Sequence, residues 1–258
     1  MTTLVAHSGL LTVRGLRTLS RQPAYLAFTL IQPMVWLLLF GQLFQRVAEL
    51  PGFGATSYLE YLTPGVIIMT AMMSAGWAGT SFIEDMRRGV MDRNLTSPIS
   101  RGALIAGALS YQAVVTVVQS LIVFGVGLAL GARYDGGLAG VLVVLVCATL
   151  IALVFAALSC AIAVLLRSQE ALIGVSQFLT LPLAFLSSIM MAPALVPDWV
   201  GDVARFNPVD WAAVASREAL GADPDWSLVA SRVGLLAALT IVMAWLATRA
   251  FRSYQRSA

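Results

Sequence analysis

The chain has 258 residues, of which 59% are hydrophobic and 11% charged, with a formal net charge of +3. A water-soluble domain carries roughly 25% charged residues, so a soluble fold is excluded. One histidine, His7, and the absence of any lysine leave no material for a histidine metal centre or a lysine-bearing phosphate loop.

Six apolar runs are long enough to cross a bilayer, at about 25–44, 61–82, 103–130, 138–166, 171–191 and 228–251. The third and fourth form a hairpin, because between Ala103 and Leu166 the only charges are Arg133 and Asp135 in the turn Gly131-Ala132-Arg133-Tyr134-Asp135-Gly136-Gly137. The fold class is therefore all-α and integral to the membrane, one transmembrane domain over residues 1–258. Cys147 and Cys160 lie in one apolar run, more than three helical turns apart, and cannot bridge each other.

Ahead of the first run, Leu4, Leu11, Gly15 and Leu19 alternate with Arg14, Arg17 and Arg21 in a pattern that suits a helix lying in the membrane interface. An ordinary basic flank orienting the first span accounts for the pattern equally well. The apolar stretch near Leu10 and Leu11 is too short for a cleavable signal peptide. With this end in the cytoplasm, eleven of the 16 arginines fall on inner segments and five on outer ones, while nine of the 13 acidic residues fall outside. The arginine bias places both termini in the cytoplasm.

The inner loop 84–102 mixes both charge signs with Met86, Val90, Met91 and Leu95 at helical spacing, and Pro98 ends any helix there. It reads either as a short amphipathic helix shaped to be gripped or as a solvated loop. Residues 192–227 are too polar to span. Pro193, Pro197, Asn207-Pro208 and Asp223-Pro224 break them into short pieces near the outer interface, with Trp199, Trp211 and Trp226 at head-group depth. Asn207 beside Pro208 reads as a structural joint in this outer segment.

Within the spans, Gln112, Thr116 and Gln119 share a face of the third run, and Gln32, Gln42 and Gln177 are isolated amides; interhelical hydrogen bonding is their first explanation. Ala152, Ala156, Cys160 and Ala163 suit close helix packing. Met69, Met72, Met73 and Trp77 in the second span and Phe178, Phe185 and Met190 in the fifth suit a pathway that accommodates varied apolar shapes; lipid contact and core packing suit them as well.

The run Gly89-Val90-Met91-Asp92-Arg93, followed by Ser97-Pro98-Ile99-Ser100-Arg101, resembles the cytoplasmic coupling segment of ABC-2 type permeases, closest to the daunorubicin-resistance type of drug-export permease. Gln32-Pro33-Met34-Val35-Trp36-Leu37-Leu38-Leu39-Phe40-Gly41 resembles that family's first span. Arg205-Phe206-Asn207-Pro208-Val209-Asp210-Trp211 with Arg217 resembles its segment before the last span. The sequence departs from the drug-export pattern at Asn94-Leu95-Thr96.

The resemblance implies a permease in a bacterial plasma membrane, paired with a second copy or a related permease and with two copies of a separate ATPase that binds ATP and Mg. This chain then holds no cofactor, catalyses nothing itself and takes no nucleic-acid partner; its lipid contacts are those of any multi-pass protein. Glu84, Arg87, Arg88, Gly89, Asp92, Arg93, Pro98 and Arg101 are the implied ATPase-coupling residues, with a smaller contact or simply a tight turn at Arg167-Ser168-Gln169-Glu170. The expected cargo is an amphipathic drug or secondary metabolite, with a lipid-linked polysaccharide or glycolipid as the alternative. A membrane lipid-modifying enzyme is a distant third, lacking a titratable cluster, and a proton-coupled carrier lacks a mid-span carboxylate.

Overall fold

The structure, a computed structural model, describes residues 23–50, 57–88, 101–192 and 195–254. Every regular element among these residues is helical. The interfacial helix expected over residues 1–21 lies outside the described residues.

The first span begins as α1 (Pro23–Val35) and continues through a wider π-turn, Trp36–Phe40, into Gly41–Leu43. Pro33 inside α1 supplies no N–H and crowds the preceding turn, and a π-bulge is one way a helix absorbs such a defect. Trp36, Phe40 and Phe44 stack in succession and lead to Tyr58 on the next helix. Helix α2 (Tyr58–Gly76) starts on Ser57, whose hydroxyl caps Leu59 N–H, and α3 (Thr80–Arg87) follows after a break at residues 77–79. The second span predicted to end at 82 thus runs five residues further and is interrupted.

Helices α4 (Arg101–Ala129) and α5 (Gly137–Leu166) make the hairpin, bounds within two residues of expectation. Gly131 and Gly137 take positive φ at its tip. The tip is fastened to α2: Arg133 N–H donates to Glu60 Oε1 at 3.1 Å, and the Tyr134 hydroxyl to the Glu60 carbonyl at 3.3 Å. Arg167 in the left-handed conformation ends α5 and Ser168 caps α6 (Gln169–Phe185) by accepting from Ala171 N–H, so Arg167 to Glu170 is a tight turn.

The fifth span, predicted to reach 191, is corrected here. Its helix stops at Phe185, only 17 residues or about 26 Å. Pro182 is the physical reason, since its ring and missing N–H disrupt the ladder one turn from the end. The chain then turns irregularly through Met191 before α7 (Asp198–Ala204), α8 (Pro208–Leu220) and the last span, α9 (Trp226–Tyr254).

Among the described residues, four segments are long and apolar enough to cross a membrane, Tyr58–Arg87, Leu104–Ala129, Gly137–Leu166 and Trp226–Phe251, and Thr29–Leu43 is a shorter apolar helix. Helix α5 is the hub. It packs against α2, α4, α8 and α9, while α1 and α6 touch the bundle more lightly. Cys147, Ala148, Ala152, Ala156, Cys160 and Ala163 of α5 are fully buried, which lets neighbouring backbones come close. Another close approach lies near the start of α5. A Cβ on Gly140 would stand 2.4 Å from the Ala219 carbonyl oxygen of α8.

Gly140→Ala therefore forces α5 and α8 apart and should cost about 1–3 kcal/mol, lowering the thermal midpoint of the detergent-purified protein by several degrees. Gly125→Ala on α4, where a Cβ meets nothing within 4 Å, should be neutral or stabilising by up to about 1 kcal/mol. Equal midpoints for the two variants would contradict the close approach.

Candidate functional site

The last turn of α6 and the irregular chain after it leave backbone carbonyls without helical partners in a buried setting, where an unmet group costs about 1–3 kcal/mol. Four side chains meet five of them. Asn207 Nδ2 donates to the carbonyls of Leu183 at 2.7 Å and Leu186 at 2.8 Å. The Tyr61 hydroxyl donates to Ser188 O at 2.7 Å, the Tyr58 hydroxyl to Met190 O at 3.0 Å, and Arg217 Nη2 to Ile189 O at 2.7 Å. Arg217 also reaches Tyr61 O through Nε and Ser188 Oγ through Nη1, with its guanidinium 3.6 Å above the Tyr61 ring. Asp210 Oδ1 accepts from Ser188 N–H at 2.8 Å.

Asn207 has a second job. Its Oδ1 accepts from Val209 N–H at 3.0 Å, capping α8, and Pro208 occupies the first helical position, where a missing N–H is harmless. Asn207 and Pro208 thus start α8 and tie it to the end of α6.

A second feature is a cavity of about 310 Å³ between α1, α2 and α6. Met69, Met73 and Trp77 supply its soft and aromatic wall together with Pro33, and Thr29, Gln32, Thr70, Ser74 and Gln177 its polar atoms. No charged residue lines it. Behind it, Gln112 Nε2 donates to Ser74 Oγ and Gln119 Nε2 to Thr29 Oγ1, so both α4 amides bond across helices. Gln119 Oε1 is buried without a hydrogen bond.

The pathway residues expected from the sequence are only partly brought together. Met69, Met73 and Trp77 share this cavity, whereas Met72 is fully buried in the bundle core. Phe178 and Phe185, 78% and 65% exposed, lie on the outward face of α6, and Met190 packs beside the joint.

At the opposite end of the bundle from the joint, Glu84 and Arg87 are exposed on α3 and Arg88 just after it, with Arg88 paired to Glu84. Glu170 is close enough to feel the Arg87 charge; its carboxyl is held below the usual range chiefly by its own backbone N–H, with the Ser168 hydroxyl adding to the effect. The turn before α6 therefore sits beside the end of α3. Arg101 is the first residue of α4, and Gly89, Asp92, Arg93 and Pro98 lie outside the described residues.

Sequence reading did not single out Tyr58, Tyr61 or Asp210 as parts of the joint. The available signal was Pro182, which disfavours a long continuous helix here, and a helix end leaves its last carbonyls for other groups to satisfy. Asn207→Ala should cost about 1–3 kcal/mol for each of the two carbonyls it strands. Asn207→Asp keeps the α8 cap but not the Nδ2 donor, so it should recover little more than the ~1 kcal/mol of a cap. Thermal unfolding of both variants checks this; a fully stable Asn207→Asp would show that the cap alone matters.

Residues 8–220 match the family model described as ABC-2 type transporter. The chain is 31% identical over 244 residues to the daunorubicin resistance ABC transporter permease protein DrrB1 of Streptomyces coeruleorubidus, covering 93% of this chain and 84% of that one. It is 28% identical over 215 residues to the putative transport permease ycf38 of Porphyra purpurea, covering 82% and 72%, and 27% identical over 194 residues to that of Cyanophora paradoxa, covering 75% and 67%. With a multi-pass helical bundle and a match across most of its length, the chain belongs to the ABC-2 type transporter family, as the membrane-embedded transport subunit that binds no nucleotide and pairs with a separate ABC ATPase.

Proposed function

We propose that the chain exports an amphipathic, largely apolar compound of the drug or secondary-metabolite kind from a bacterial cell, two permease copies working with two ATPase subunits. The observation that carries this reading is the uncharged cavity between α1, α2 and α6, where Met69, Met73 and Trp77 meet the amides of Gln32 and Gln177. Thioethers adapt to irregular apolar shapes, an indole face stacks on flat ones, and a few amides orient a polar substituent. The similarity to a daunorubicin resistance permease supports the same cargo class. Trp77, 43% exposed, and the outward Phe178 and Phe185 are then the surface that a second permease copy completes.

A saccharide cargo fits this cavity less well. The Thr70 hydroxyl is already spent on the Val66 carbonyl and Ser74 accepts from Gln112, so sugar hydroxyls would find few partners.

In this reading Glu84, Arg87, Arg88, Gly89, Asp92, Arg93, Pro98 and Arg101 dock into the ATPase, whose closure on ATP becomes movement of the spans. Both termini and this docking face are cytoplasmic, and α7 and α8 face outward, consistent with the arginine bias.

Co-expression with the partner ATPase in a drug-sensitive host tests the cargo. Met73→Ala and Gln177→Leu should each shift resistance to some compounds by about 10-fold, the scale of one lost apolar or polar contact, while leaving others unchanged. Absence of any drug export, together with loss of a surface glycolipid on deletion of the chain, would replace this reading with glycolipid export. Asp92→Ala or Arg93→Ala should reduce drug-stimulated ATP hydrolysis without lowering permease abundance; normal stimulation would make the loop a passive tether. In a background with Cys147 and Cys160 replaced by serine, a cysteine at Ser227 should react with an impermeant reagent on intact cells and one at Ser100 should not. The reverse pattern would overturn the orientation.

A further inference from the structure

A second cavity, of about 440 Å³, opens at the end of the bundle that carries α7, between that helix and the irregular chain after α6. Asp210 and Ser188 line it, Met191, Val200 and Ala204 give it an apolar wall, and Asp198 and Asp202 stand on the α7 side together with one cation, Arg205. Asp210 is only 7% exposed, yet among the described residues its hydrogen bonding is limited to the Ser188 N–H on one oxygen. A carboxylate has room for about four such bonds, and burying one without a counter-charge is costly.

Arg217 stands near enough for its charge to act on Asp210, but it makes no contact with the carboxylate. Its three nitrogens are committed to Tyr61, Ser188 and Ile189, and no ion pair joins it to Asp210. Among the described residues no three carboxylate, histidine or cysteine side chains are grouped to hold a metal ion. The volume also exceeds what an ion needs and falls in the range of small-molecule sites.

We propose that this cavity binds the protonated amine of a small amphipathic cation, with Asp210 accepting its N–H groups and the apolar wall holding its body. Asp198 and Asp202 draw the cation in; Arg205 offsets Asp202 only across an exposed pair at 3.7 Å. The site is separate from the α1, α2 and α6 cavity and stands whether or not that cavity carries cargo.

Binding of dansylcadaverine, an apolar fluorophore with a free amine, and of its neutral N-acetyl analogue can be titrated by fluorescence with the purified full-length chain. The amine should bind more tightly than the analogue. Asp210→Asn keeps an acceptor for Ser188 N–H and removes the charge, and should weaken the amine about tenfold or more while leaving the analogue unchanged. Gly201 also lines the cavity and a Cβ there meets nothing within 4 Å, so Gly201→Phe should fill the opening and abolish amine binding without disturbing packing. This second variant decides the matter if Asp210→Asn does not fold. Parental affinity in Gly201→Phe, or equal binding of amine and analogue, overturns the proposal. So does displacement of the probe by millimolar Mg²⁺ or Ca²⁺ at constant ionic strength, which assigns the cavity to an inorganic cation.

Discussion

The arrangement of the bundle depends on where the carbonyls released after Pro182 find donors. The segment is buried against the bundle, so the donors come from neighbouring helices, and each one fixes a neighbour. Tyr58 and Tyr61 bring in the start of α2, Asn207 the start of α8 and Arg217 its far end. Since α8 also lies against Gly140 of α5, an irregular segment of a few residues locates three helices at once. An arginine suits this position better than a lysine, because three donors held in a planar fork reach two carbonyls and a hydroxyl that a single ammonium could not span.

The other polar groups in the spans follow a gentler version of the same rule. Gln112 and Gln119 of α4 bond to Ser74 of α2 and Thr29 of α1, and the Ser159 and Ser176 hydroxyls both donate to the Gly76 carbonyl. These hydroxyls and amides carry no charge, which leaves the α1, α2 and α6 cavity neutral. Charge is confined to the two ends.

Much of the fold was legible in the sequence because a bilayer demands long apolar runs and makes any charge conspicuous. Arg133 and Asp135 marked the α4–α5 turn, and α5 was bounded to within a residue. Two features escaped this logic. The 77–79 break in the second span has no proline, and the small residues around it, Ala75, Gly76, Ala78 and Gly79, read as apolar. The end of α6 was missed because Leu186, Ile189, Met190 and Met191 remain hydrophobic even where they are no longer helical. In the site, hydropathy alone did not separate Met73, which lines the cavity, from Met72 one residue away in the core; that distinction needs the helix phase and the identity of the packed neighbour. Asp210 was hidden for another reason, since nothing local to α8 shows that its carboxylate faces an opening made by a different helix.

The break between α2 and α3 is stitched sideways as well as along the span, where tight backbone turns run from Ser74 to Thr80. Gly79 N–H donates to Ser159 Oγ of α5 at 2.9 Å, and the Ser159 hydroxyl in turn donates to the Gly76 carbonyl. Ser176 of α6 meets that same carbonyl at 3.0 Å. The break is thereby laced to the central helix and to the lightly held α6, so any displacement of α3 against α2 has to part these cross-helix bonds, whereas the start of α2 is tied separately by the tyrosine and arginine contacts at the far end.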